Sequence, residues 1–136
     1  GAIQRILAND IACKNVAADF ALRPSERRLF PEIEIDIIPG VNPAADEQIR
    51  RAIIHLHELI LGRFDSVNNS EVTRTFDLFS GIISDSKSRA GISKVESYSC
   101  QTLADKTPRD ADPDYSIRAW RGVVTYLLRQ HEFLYE

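Results

Sequence analysis

The C-terminal stretch DPDYSIRAWRGVVTYLLRQHEFLYE, from Asp112 to Glu136, constrains the fold most strongly. Counting from Trp120, apolar residues recur at Val123, Val124, Leu127, Leu128, Leu134 and Tyr135, with Ile117 one turn earlier. That three-and-four spacing is one face of a helix; Arg118, Arg121, Thr125, Arg129, Glu132 and Glu136 take the other. Asp112 reads as the cap, Pro113 as the first helical residue, and Asp114 as an acid at the positive end of the dipole. Such a helix needs a partner surface, and the rest of the chain must supply it.

Three further helices are predicted. Ala2 to about Ala21 carries Ile3, Ile6, Leu7, Cys13, Ala17 and Phe20 on a broad face, and Pro24 stops it. Asp10 and Lys14 lie at i,i+4 on that face and read as an ion pair at the core edge. Asn42-Pro43 opens the second helix by the cap-then-proline rule, and Gly62 ends it. Ile49, Ile53, Leu56 and Ile60 form its stripe, widened by Ala52, Ile54, Leu59 and Leu61. After the short polar link RFDSVNNS, Ser70 caps a third helix built on Val72, Phe76, Phe79, Ile82 and Ile83. This helix is expected to fray through Ser84–Arg89. So short a link makes the second and third helices an antiparallel hairpin.

One stretch breaks the helical pattern. Glu32 to Ile38 alternates, with Ile33, Ile35 and Ile37 on one side and Glu32, Glu34 and Asp36 on the other, which is the period of a strand. No other stretch alternates as clearly, and a lone strand has no ladder partner within a monomer. The favoured reading is an extended arm laying its isoleucines across the helices. The alternative is an edge that pairs with another chain or a missing domain. From Gly91 to Ala111 there is little regular signal beyond Val95 and Tyr98 as possible anchors, and loops of that length are usually functional or loosely ordered.

The chain has 136 residues, 43% hydrophobic and 27% charged, which points to one folded domain with a real core. A net charge of -3 without a long basic run argues against phosphate-driven nucleic-acid binding. No apolar run approaches the roughly 20 residues needed to cross a bilayer. The chain opens Gly1-Ala2 and has no methionine, which reads as a mature or trimmed fragment whose leader, if it has one, precedes it.

Candidate chemistry is sparse. His55 and His57, joined by Glu58, suggest a metal site, but residues two apart on a helix point roughly 200° apart around the axis and cannot grip one ion together. His57 reads as a core or rim histidine, and His131 as a continuation of the terminal stripe. The acids Asp110, Asp112 and Asp114 would suit calcium, but the glycine and bidentate glutamate of an EF-hand loop are missing. Arg23, Arg27 and Arg28 read as a solvated cluster or as ion-pair partners of Glu32 and Glu34. There is no G-x-S-x-G elbow, no G-x-G-x-x-G and no G-x-x-x-x-G-K-[ST], so neither a nucleophile nor a phosphate cradle is supported, and no cofactor or metal is expected. Cys13 and Cys100 lie outside any C-x-x-C motif. Bonded, they would close a large loop and contribute roughly 4–5 kcal/mol in the chain-entropy model; the other reading is two separate buried thiols.

Two stretches together carry a resemblance: HELILGRFDSVNNSEVTRTFDLFSGII, His57 to Ile83, and IRAWRGVVTYLLRQHEFLYE at the end. A helix ending in L-x-G-R, a spaced loop, a capped helix and a long amphipathic helix closing in Phe133-Leu134-Tyr135 resemble one group. These are the C-terminal helical regions of large planctomycete-type secreted proteins of unknown function, often fused to cytochrome c domains. The likeness covers roughly residues 50–136. It departs at His131, where such sequences often have proline before the aromatic. It implies an extracytoplasmic helical part of a larger assembly, a context that favours a Cys13–Cys100 disulfide. The haem-attaching motif of those partners is absent, so the resemblance implies no haem function here.

The expected architecture is one all-α domain of about four main helices in an irregular bundle, itself a possible part of a larger protein, with an arm near residues 32–38. Trp120, Phe76, Phe79, Leu56, Ile60, Val124 and Leu127 should be central. The expected function is a non-catalytic structural or interaction module, periplasmic or secreted, that docks to a protein partner or to missing domains of its own chain. Its partner surface is expected at Ile33, Ile35 and Ile37 or at Phe133 and Tyr135. A small-ligand or haem-adjacent binding domain would instead need a pre-formed apolar pocket. A hydrolytic or redox enzyme would need at least two of His55, His57, His131, Asp10 and the acids at 110–114 to converge.

Overall fold

The computed structural model describes residues 2–94 and 111–135, with side chains placed over 7–94 and 111–131. Four long helices form the body: α1 (Ala2–Ala21), α2 (Pro43–Leu56), α3 (Ser70–Ser88) and α4 (Ser116–Tyr135). A short 3-10 turn, Pro24–Glu26, follows α1, and α2 runs on into a π-helical turn at His57–Leu61. No strand forms among the described residues, so the fold is all-α. α4 is the central element. It packs most extensively on α1, and also on α3 and the π turn, while α2 and α3 pair as the hairpin their short link dictates.

The helix ends show which sequence signals operate. Asn42 accepts the Ala45 N–H at 2.8 Å, with Pro43 in the first helical position. Gly62 ends the π turn at φ 67°, a left-handed conformation that glycine adopts without a Cβ penalty. Two starts differ from expectation. α3 is capped by Asn69, which accepts the Glu71 N–H at 2.8 Å, and Ser70 is its first helical residue. α4 begins at Ser116 rather than beside Asp112, because residues 112–115 form a turn with Tyr115 at φ 65°. Asp112 still supplies the cap, reaching across that turn to the N–H groups of Ile117 (2.9 Å) and Arg118 (3.2 Å). α3 does not fray after Ser84 but stays helical to Ser88, with Lys87 near its negative end.

Trp120, Phe79, Leu56, Val124 and Leu127 are buried as the periodicity requires. Phe76 and Ile60 pack from the edge instead, Phe76 with the Arg50 guanidinium 4.7 Å from its ring centroid. The core also contains a residue that no periodic stretch includes. Phe30 is fully buried and links Phe20 (4.3 Å between centroids) to Trp120 (5.2 Å), which continues to Phe79 (4.1 Å). Removing a ring from the middle of such a row leaves a void lined by aromatic faces. Phe30→Ala is therefore expected to lose about 3–5 kcal/mol in urea unfolding, comparable to a helical core residue although Phe30 lies in no helix.

α1 chooses a different inner face from the one expected. It turns Ala8, Ala12 and Val16 inward, and Leu7 is exposed, while Cys13, Ala17 and Phe20 are partly buried. Helix α1 is apolar around much of its circumference, so periodicity alone leaves its rotation open. The small side chains let α1 and α4 approach closely, and dispersion contacts favour that choice.

The arm after α1 is a chain of turns, not a strand. Ile33 is 1% exposed, and Ile35 and Ile37 are partly buried against the core. Of these three candidates for an exposed partner strip, Ile33 is buried in the chain's own core, and Ile35 and Ile37 pack against it while remaining partly exposed. Lacking a ladder, the arm's backbone finds side-chain partners. Gln48 donates to Glu32 O at 3.0 Å and Ser116 Oγ to Ile35 O at 2.6 Å, while the Gly40 N–H donates to Asp46 at 2.9 Å.

Two glycines inside helices contrast. A Cβ on Gly122 would lie 2.8 Å from Ile82 Cδ1, so this glycine lets α3 and α4 pack closely. A Cβ on Gly81, in mid-α3, would meet nothing within 4 Å. Gly81→Ala should therefore raise stability by about 0.5–1 kcal/mol through helix propensity, whereas Gly122→Ala should gain less or nothing because Ile82 must move. Thermal melts of the two variants side by side check this.

Candidate functional site

The polar residues that could carry chemistry are engaged by the fold itself. His57, buried on the π turn, lies with Nδ1 2.8 Å from Asp65 and Nε2 3.0 Å from Thr75 Oγ1. The Asp65 carboxylate accepts the Nδ1–H and also a hydrogen bond from Arg63 at 3.1 Å. Thr75 Oγ1 lies 3.0 Å from Glu71 O as well, so its single hydrogen is shared between that carbonyl and the ring. The order hydroxyl, imidazole, carboxylate resembles a nucleophilic relay. Yet His57 and Thr75 are each 1% exposed, and a reacting carbonyl would have to come within about 3 Å of the hydroxyl. What the cluster does is join three elements: the π turn, the loop after Gly62, and α3. His57→Ala should cost about 3 kcal/mol, because it leaves the largely buried Asp65 with only Arg63. His57→Asn should recover part of that loss in the same unfolding assay.

Two buried carboxylates work in the same way. Asp19 accepts three backbone N–H groups, from Arg28 (2.9 Å), Leu29 (3.1 Å) and Phe30 (2.9 Å), and so bends the chain that delivers Phe30 to the core. Asp112 accepts from Arg118 Nε at 2.9 Å in addition to the two amides at the start of α4. Its own N–H donates to Lys94 O at 2.8 Å. The sequence marks Asp112 as a cap but not its burial or its pair with Arg118, and it does not single out Asp19, because a lone acid near a helix end looks like any surface acid.

The remaining candidates separate. His55 bonds to Arg28 O at 2.7 Å, on the side of α2 facing the arm. His131 is exposed on α4. Asp10 pairs with Lys14 at 2.9 Å, as expected. In the basic cluster, Arg23 pairs with Glu26 and Arg27 with Glu34. Among the described residues, no three His, Cys, Asp or Glu side chains are grouped to hold a metal ion. Cys13 is half-buried on α1; its candidate partner Cys100 lies outside the described residues, as does Asp110, and the side chains of Phe133 and Tyr135 lie outside those placed.

Among the described residues, surface depressions of ligand size include two larger ones. One, of about 360 Å³, lies between the arm and α2, with Pro31, Glu32, Arg51, His55 and Glu58 around it. The other, of about 510 Å³, runs between the C-terminal half of α3 and the turn before α4.

What the protein leaves outside is apolar. Flanking the buried line of Ala8, Ala12 and Val16 on α1, Leu7 is 50% and Ile11 45% exposed, and Leu22 just past the helix end is 43% exposed. Leu7 and Ile11 are one turn apart on the helix, and Leu22 follows at its end. Phe64 in the loop after the π turn is 84% exposed, and Leu59 beside that loop is 46% exposed. Periodicity could not reveal either feature: it places apolar residues in an element but does not say which of them face solvent. No helix is long and apolar enough to cross a membrane among the described residues. Compared with protein-family models, curated proteins and solved structures, the chain matches none.

Proposed function

We propose that this domain is a non-catalytic interaction module that docks through α1 within a larger extracytoplasmic, redox-associated assembly. The observation that carries the docking role is the apolar row of Leu7 and Ile11 on α1 with Leu22 just past its end, each about half exposed. Single exposed apolar residues are ordinary, but three along one helix and its end form a strip that a partner can cover. Lys14 and Asp10 lie beside the strip and would form a polar rim. The assembly and its extracytoplasmic, cytochrome-linked setting rest on the resemblance of residues 50–136 described above. The partner is a protein or another domain of the same polypeptide.

Photo-crosslinking side chains placed at positions 7, 11 and 22, in cells that naturally make the chain, test the docking role. All three positions should capture the same partner, and position 47 on the exposed side of α2 should not. Capture without helical periodicity, or none, contradicts it. The extracytoplasmic setting has its own test. It favours a Cys13–Cys100 disulfide, read as a denatured, non-reduced mass two units below that of the dithiol, with no alkylation. Two alkylated thiols would remove that part of the proposal.

A further inference from the structure

We infer that a second copy of this chain docks head to tail, its Phe64 seated in the groove between α3 and the turn before α4. Two independent oddities mark that groove. Gly81 forms part of its wall in mid-α3, where glycine weakens the helix and no internal contact requires it, since a Cβ there would meet nothing within 4 Å. Tyr115, on the opposite wall, holds φ 65°, a left-handed conformation uncommon for an aromatic residue, with the Arg118 guanidinium 4.1 Å from its ring centroid. Backbone held out of its preferred region tends to occur where another group is clamped. Leu78, Ile82 and Ile92 complete a largely apolar lining, and a volume of about 510 Å³ admits a phenyl ring.

The occupant follows from the rest of the surface. Phe64 is the most exposed of the large apolar side chains placed, at 84%. Its backbone is nevertheless pinned on both sides. The Gly62 and Arg63 N–H groups donate to Glu58 O (3.1 Å) and His57 O (3.3 Å), and Asp65 is held by His57 and Arg63. The ring is thus presented at low entropic cost, as an anchor residue requires. Charges match as well. Arg63, next to Phe64, uses only Nη2 on Asp65, and the groove is bordered by Asp77, which has no ion-pair or hydrogen-bond partner among the described residues, and by Asp85, which pairs with Arg89 at 2.6 Å. Phe64 lies before the N-terminus of α3 and the groove along its C-terminal half, so the two cannot meet within one copy. The contact is heterologous, and it extends to short chains or closes to a ring.

Sedimentation velocity over a concentration series, with matched thermal melts, tests this using Phe64→Ala and Gly81→Leu. Both variants should fold; Gly81→Leu fills the groove from a helical position with open space around it. The unaltered chain should self-associate, and each variant alone should do so at least roughly tenfold more weakly. Mixed one to one, they should form dimers, since the Gly81→Leu copy still offers Phe64 and the Phe64→Ala copy still offers the groove. An unaltered chain that stays at 15.4 kDa up to millimolar concentration, self-association indifferent to both variants, or a mixture that does not dimerise would overturn the inference.

Discussion

Arg27→Ala should be the most damaging single charge removal in this protein, lowering unfolding stability by about 3–5 kcal/mol. The side chain is only 6% exposed. It donates to the carbonyls of Phe20 (3.1 Å), Leu22 (2.9 Å) and Ile33 (3.2 Å) and to both carboxylate oxygens of Glu34 (2.7 and 3.2 Å). One guanidinium therefore ties the end of α1 to the arm and satisfies main-chain acceptors that no ladder serves. Cutting it back leaves those carbonyls without a donor and leaves Ile33 held only by packing. Lysine cannot replace it, because a single ammonium cannot reach donors spread over such a fork. Arg27→Lys should recover less than half of the loss. Arg28→Ala, one residue on and exposed, should change stability by less than about 0.5 kcal/mol. Urea unfolding of the three variants measures all of these at once, and similar losses at positions 27 and 28 would contradict the assignment.

Asp112→Ala comes next, at about 3–4 kcal/mol, because Asp112 is fully buried and its loss strands three donors. The Ile117 and Arg118 amides lose their cap, and the Arg118 guanidinium, itself 8% exposed, loses its counter-charge. The effect should be local to the start of α4. Amide exchange should quicken at residues 117–120 well before it does at 124–128, where Val124 and Leu127 remain in the core. Asp112→Asn keeps one acceptor oxygen but not the charge, and should fall between the two. Arg118 also donates to Ser93 O at 2.7 Å, so the variant should loosen residues 93–94 as well. Uniform quickening along all of α4 would mean that Asp112 is not the anchor described.

The helices were legible because their signals are local and repeated. Asn42-Pro43, Gly62 and the stripe on α4 each state the same thing several times over. The anchors were not legible because each gathers contacts from residues several positions away that share no repeating pattern. Arg27 reads with its neighbours as a solvated or ion-paired arginine; the pair with Glu34 is among those readings, but nothing in the chain says that Phe20 O, Leu22 O and Ile33 O converge on it. Asp19 likewise shows no sign of its three amide donors, which arrive from residues 28–30. The isoleucine alternation at 33–37 was read correctly as an arm, and its burial follows once Arg27 and Ser116 hold it down. The rotation of α1 was the hardest feature to read. Its apolar residues circle the helix, so only packing against α4 decides that alanines face inward and Leu7 and Ile11 outward. That choice is also what leaves Leu7 and Ile11 half exposed.

Native mass spectrometry of the chain isolated from the cells that make it, beside a Leu7→Ser/Ile11→Ser/Leu22→Ser variant, tests the docking account most directly. The account predicts a species heavier than 15.4 kDa by a partner mass that is not a multiple of the chain's own. The triple variant, whose substitutions touch only half-exposed positions, should fold and lose that partner. A chain found only at 15.4 kDa or its multiples, or a variant that keeps the partner, would contradict it.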